Sequence, residues 1–161
     1  MNRYRGLVWV IAAAVATATG VAHADPIPPG MGAACPPELA DVMTLLPDQT
    51  TYAACRQSGP DFAWTAVETP FPPNDSWLSY GPAITLHGQG MRNPNLSSGE
   101  WTATPLDPET ICRVTQSTVV EAGVLAPPQV SEGPPGTTMR VLMLPSLFYA
   151  ELAGNCLWTM D

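Results

Sequence analysis

Four cysteines, at positions 35, 55, 112 and 156, constrain this chain more than any other feature. No CxxC spacing occurs among them, so metal ligation and dithiol redox chemistry have no motif to rest on. An even number of cysteines in an exported chain reads first as disulfides. Three pairings are possible. The nearest-neighbour one, Cys35 with Cys55 and Cys112 with Cys156, is preferred because each bond then closes a recognisable unit. Chain entropy gives about 3 kcal/mol for the first loop and about 4 kcal/mol for the second.

Export is read from the N-terminus. Arg3 and Arg5 precede an apolar run from Leu7 to Val21, and Ala22-His23-Ala24 is a small-x-small cleavage site. Residues 1–24 therefore read as a secretory signal peptide, leaving Asp25 as the new N-terminus. Gly32-Ala33-Ala34-Cys35 faintly resembles a lipobox but lacks the apolar residue three places before the cysteine, and lipidating Cys35 would strand another cysteine. Beyond the leader the longest apolar run, Val141 to Ala150, is interrupted by Pro145 and Ser146, so no membrane span is expected after cleavage. The organisation expected is a signal peptide over 1–24, a flexible Pro/Gly-rich lead over 25–34 and a single disulfide-stabilised β domain over 35–161.

Charge narrows the partners. Lysine is absent, and four arginines (Arg56, Arg92, Arg113, Arg140) stand against fourteen carboxylates in the mature chain, a formal charge of 4 − 14 = −10. Such a surface repels nucleic acid and anionic lipid, and both are set aside. Missing lysine alongside abundant Ala, Pro, Gly and Thr also fits a GC-rich bacterial genome, in which the sequons at Asn74 and Asn95 carry no meaning.

Pro36 and Pro37 open an expected short helix, with Leu39, Val42, Met43 and Leu46 on one apolar face and Pro47 as its stop. Strands are expected over Phe62–Val67, over Trp77–Tyr80 and Ala83–His87 (one strand broken at Gly81-Pro82, or two), and over Glu100–Thr104, Ile111–Ala122, Thr137–Leu144 and Asn155–Met160. Leu147–Leu152 reads as a strand or a helical turn. Trp101 and Ala103 share one face of their strand. Gly88–Ser98 has loop chemistry throughout, and Ala126–Gly136 reads as a Pro-rich loop unable to join a ladder. The fold class is mainly β: a small antiparallel sandwich or partly closed barrel of about six strands, with one short N-terminal helix and two disulfides.

Three pieces of the C-terminal part, Ser98-Gly99-Glu100-Trp101-Thr102, Ile111-Cys112-Arg113-Val114 and Gly154-Asn155-Cys156-Leu157-Trp158, occur in an order that carries a resemblance. The last 65 or so residues resemble a small disulfide-closed β module of secreted proteins and lipoproteins of actinobacteria, of the mycobacterial exported type. That resemblance implies an extracytoplasmic module of no established chemistry, with no catalytic residues to transfer.

The residues themselves offer little chemistry. His87 is the one histidine left after cleavage and reads as a rim residue without a nucleophile motif elsewhere, which also excludes a multi-histidine metal site within one chain. Glu100, Asp107, Glu109 and Glu121 lie in one region of sequence, and Asp107-Pro108-Glu109 reads as a solvated turn rather than a calcium loop. No catalytic residue, metal site or cofactor is expected. Of the four mature tryptophans, Trp101 and Trp158 are expected in the core, and Trp77, beside Asn74-Asp75-Ser76, is the one expected at the surface. Trp77 and His87 are the candidate binding residues. The leading expectation is an exported non-enzymatic module that binds a protein or a glycan at the cell envelope. The competing one is a carboxylate-dependent hydrolase of envelope polysaccharide.

Overall fold

A computed structural model describes residues 26–161, so the signal peptide expected over 1–24 lies outside the described residues. Strands dominate. They are β1 (Met43–Leu45), β2 (Tyr52–Ser58), β3 (Asp61–Ala66), β4 (Ser76–His87), β5 (Gly99–Pro105), β6 (Arg113–Glu121), β7 (Val124–Leu125), β8 (Gln129–Glu132), β9 (Met139–Met143) and β10 (Leu147–Met160). The main path runs β3-β2-β1-β4-β10-β5-β9, and β6 branches from β10 to carry β7 and β8. The pairs are antiparallel except β1 with β4, which run parallel through Met43 and Trp77. The expected all-antiparallel sandwich or barrel is thus replaced by a mixed sheet that does not close.

The spine is β4 with β10. Along β10 every second residue from Ala150 to Trp158 faces inward, as a half-buried strand requires, with Gly154 at the middle of the series. One flank of β10 pairs with β4 over most of its length. The other flank takes β6 from Leu147 to Ala153 and β5 from Cys156 to Met160. The exchange happens at Gly154, whose φ of 92° is open only to glycine. A Cβ there would strike the Ile111 carbonyl and lie 3.1 Å from Cys156 Sγ. Opposite sits Gly81, with φ 122°, and between Gly81 and Ile84 β4 carries one extra residue. That bulge holds Pro82, which has no N–H to give a ladder. The Gly81-Pro82 break is therefore a bulge within one strand.

Both expected disulfides are present, Cys35–Cys55 and Cys112–Cys156. Cys112 and Cys156 join the main core with Trp77, Trp101, Trp158, Ile84, Leu86 and Leu152. Trp158 Nε1–H donates to Ser79 Oγ at 2.9 Å, so the indole is buried without an orphaned donor. A second cluster packs Cys35, Leu39, Val42, Leu46, Cys55 and Trp64 against Leu78, with Leu157 beside it. Leu78 and Leu157 are partners in the ladder, as are Trp77 and Trp158, so alternation sends each neighbouring pair to a different core.

The N-terminal helix is corrected. Only Pro37–Leu39 form a turn of 3-10 helix, and Asp41, at φ 63°, then reverses the chain into β1. Residues 42–46 are buried on both faces, one set against each cluster. A short apolar run looks the same whether it is one helical face or a central strand, and here the neighbours β2 and β4 decide. The Pro-rich loop is corrected too. Between Pro128 and Pro134 lie proline-free residues, and β8 pairs there with Arg113–Gln116 at the sheet margin. The lead is laid along β3: Gly32 N–H donates to Trp64 O at 2.9 Å, and Cys35 N–H to Phe62 O at 3.0 Å.

Two outcomes follow. Replacing Cys112 and Cys156 together by Ala opens a loop of 44 residues and is expected to lower unfolding free energy by about 4 kcal/mol in urea titration. A loss under about 1 kcal/mol would show that the bond does not constrain the chain. The second concerns Asp48, in the β1–β2 turn. Its carboxylate accepts from Thr51 Oγ1 at 2.6 Å, Thr50 N–H at 2.9 Å and Thr51 N–H at 2.8 Å. The Thr51 hydroxyl foremost, then the two amides, hold its pKa at about 2. A depressed pKa contributes stability above the unfolded value, lost as pH falls through the folded one. Asp48→Asn should therefore flatten the stability profile between about pH 4 and about pH 2 and leave its shape above pH 5 unchanged. Parallel profiles across that window would contradict the assignment.

Candidate functional site

One concavity combines aromatic walls with directional polar groups. It has a volume of about 310 Å³, within the range of small-ligand sites, and is lined by Tyr52, Phe71, His87, Met91, Arg92, Asn93 and Asn95 with Thr69 and Pro70. Its base is an aromatic cluster. Tyr52 meets Phe71 edge-on at 5.0 Å and Trp77 edge-on at 6.0 Å, while Phe71 lies 6.3 Å from Trp77. These are favoured separations for rings that attract edge to face.

Asn95 ties the pocket together. Its Oδ1 accepts from Tyr52 OH at 3.1 Å and from His87 N–H at 3.0 Å. Asn95 N–H and Leu96 N–H both donate to His87 O, and Asn95 O accepts from Asn74 N–H at 2.9 Å. A straight strand would carry His87 about 33 Å from Trp77. Instead Tyr52 touches Trp77 with its ring and, through Asn95, reaches the His87 backbone. The two ends of β4 can share these partners because the strand bends at Gly81-Pro82. Burial of Tyr52 raises its phenol pKa, so the hydroxyl stays a donor.

Gly88 and Gly90 position the far wall. A Cβ at Gly88 would stand 2.5 Å from Leu147 O, and one at Gly90 2.8 Å from the same oxygen. Their absence lets the loop after β4 lie flush on the start of β10, with Gly90 N–H donating to Leu147 O at 2.7 Å. Met91, Arg92 and Asn93 are carried to the pocket from there.

Trp77 is placed beneath this pocket rather than at the surface. It is 0% exposed, and Trp64, Trp101 and Trp158 are at 4%, 0% and 0%. The polar neighbours that argued for exposure fold over the ring: Asn74 O accepts from Trp77 Nε1–H at 3.2 Å, and Asn74 Nδ2 donates to Ser76 O at 2.6 Å. Among the described residues no tryptophan lines this pocket; Trp64 borders a different concavity, with Leu39, Leu78 and Tyr80. Tyr52 and Phe71 supply the aromatic face instead, and His87 lines the rim.

The acidic residues form no comparable site. Asp107 is fixed in its turn by Thr110 Oγ1 at 2.6 Å, Thr110 N–H at 2.7 Å and Asn155 Nδ2 at 3.1 Å. Those bonds, the Thr110 hydroxyl first and Asn155 next, hold its pKa below the usual carboxylate range. Glu100 lies on β5 opposite Leu142, and Glu121 ends β6 opposite Val124. Among the described residues no group of three or more His, Cys, Asp or Glu could hold a metal ion, and no helix is long and apolar enough to cross a membrane.

Tyr52, Phe71, Arg92, Asn93 and Asn95 were not singled out from sequence. The paired glycines of Gly88-Gln89-Gly90 and the turn chemistry up to Asn95 were the available signals, and both read only as loop. Set against family models, curated proteins and solved structures, the chain matches none.

Asn95→Ala removes the acceptor of both Tyr52 OH and His87 N–H. It is expected to cost about 1–3 kcal/mol in chemical denaturation of the oxidised protein. An unchanged midpoint would mean that Asn95 does not hold the pocket.

Proposed function

We propose that this chain is an exported, non-enzymatic binding module of the cell envelope, and that the Tyr52–Phe71–His87 pocket receives its partner. The observation that carries this reading is the pocket itself: ring edges and faces for apolar contact, amides and a guanidinium for direction, and no carboxylate in the lining. That mixture suits a sugar ring better than a peptide anchor, because sugars offer one apolar face and a girdle of hydroxyls. Two disulfides suit an oxidising, extracytoplasmic setting. The reading agrees with the resemblance of the last 65 or so residues, from Ser98-Gly99-Glu100-Trp101-Thr102 on, to exported actinobacterial modules.

The hydrolase reading needs one carboxyl with a raised pKa facing a second carboxylate. Asp107, one of its candidates, moves in the opposite direction and has both oxygens engaged. The pocket therefore supports binding better than hydrolysis.

Phe71→Ala removes one wall while Tyr52 and Trp77 remain. Immobilised oxidised protein 25–161, offered solubilised envelope proteins and glycan fragments together, is expected to retain a glycan. The variant, folded by far-ultraviolet dichroism with a cooperative thermal transition, should retain about tenfold less, as loss of a stacking face implies. Retention unaffected by Phe71→Ala, or none by the wild type, would overturn the reading.

A further inference from the structure

We infer that the ligand of this pocket carries a carboxylate, and that it is an acidic saccharide of the hexuronic type held by Arg92 and Asn95 over the ring of Phe71. The inference rests on the pocket being the binding site and adds the chemistry of the occupant.

Cations are scarce in this chain. Four arginines lie in the described residues; Arg113 is paired with Glu132 and Arg140 with Asp161, each at 4.0 Å. Arg56 and Arg92 make no ion pair with any described residue, and of the two only Arg92 stands in the lining of this pocket, which contains no acid. With fourteen carboxylates in the whole sequence, most of the surface opposes an anionic ligand. An acid-free concavity holding an unpaired guanidinium is where an anion meets attraction instead.

Asn95 supplies an independent observation. The residue is 6% exposed. Its Oδ1 is taken by two donors, one of them the His87 backbone N–H, which fixes which end of the amide is oxygen. Its Nδ2 has no partner among the described residues. No fully buried side-chain nitrogen or oxygen among those residues lacks a partner, so Nδ2 reaches solvent, and it does so through the pocket that Asn95 lines. Two directional groups of the lining, Asn95 NH₂ and the Arg92 guanidinium, are thus donors. They match a group that only accepts, and a planar carboxylate fits the guanidinium fork. One cation in an acidic molecule balances a single negative charge better than the near-double charge of a phosphate monoester. The aromatic wall calls for a ring attached to that charge.

Three probes test this against the oxidised mature chain by titration calorimetry: a short hexuronate oligomer, the same oligomer with its carboxyls reduced to alcohols, and a hexose phosphate. The hexuronate should bind at least about tenfold more tightly than its reduced counterpart and weaken as salt rises. Arg92→Ala should remove that margin and Arg92→Lys restore part of it. Arg92 is exposed, so these variants keep the fold. Equal binding of the reduced oligomer, tighter binding of the hexose phosphate, or an Arg92→Ala variant that keeps the margin would overturn the inference. If Phe71→Ala still abolishes binding in those cases, the pocket survives as the site and only its acidic preference falls. Failure of every probe overturns the inference, and retention of an envelope protein or glycan in the pull-down then decides the pocket separately.

Discussion

Gly81 and Gly154 face each other across the longest strand pair of this molecule, and the remaining architecture depends on that meeting. Neither position tolerates a side chain without strain, because both adopt positive φ. The glycines let β4 and β10 bend together while keeping their ladder on both sides of the bend. On one flank of β10 the partner changes from β6 to β5 at the same point. Cys156, two residues beyond Gly154, is bonded to Cys112 just before β6, so the branch is fixed covalently where it diverges. The three innermost tryptophans then fill the space that the bend encloses.

The pocket is a consequence of the same bend. Trp77 beneath it belongs to the start of β4 and His87 on its rim to the end of that strand, and Tyr52 and Asn95 connect the two. Asn95 spends its oxygen joining the two and keeps its amide nitrogen for the pocket. The lining excludes carboxylates in a chain rich in them, and the electrostatic character of the site comes from that exclusion as much as from Arg92. Recognition here would rest on a few donors against an apolar wall, with a fold stiff enough to hold them in place.

What the sequence disclosed was what short-range chemistry encodes. The cysteine pairing followed from loop units, and the inward face of Trp101 and Ala103 followed from alternation, as did the burial of Trp158. The errors lay where distant contacts decide. Residues 42–46 carry an apolar pattern that a helix and a doubly covered strand share, and pairing with β2 and with β4, more than thirty residues on, selects the strand. Gln129–Glu132 hid between prolines that forbid pairing at their own positions but not between them. Trp77 was judged by Asn74, Asp75 and Ser76, of which Asn74 spends its carbonyl on the indole and its side-chain amide on the Ser76 backbone. The pocket was illegible for the same reason: Tyr52 opens β2, Phe71 lies between β3 and β4, and Arg92 and Asn95 lie between β4 and β5, so they meet only after β4 bends.

The most direct test of this account is the set of nuclear Overhauser contacts made by the Tyr52 ring in the oxidised protein 25–161. Cross-peaks are expected both to the Trp77 indole and to the Asn95 side-chain amide, since the ring packs against Trp77 at the start of β4 and its hydroxyl bonds Asn95, which holds the His87 N–H at the end. Contacts to Trp77 without any to Asn95 would mean that the ends of β4 do not converge and that the pocket, with the binding assigned to it, does not form.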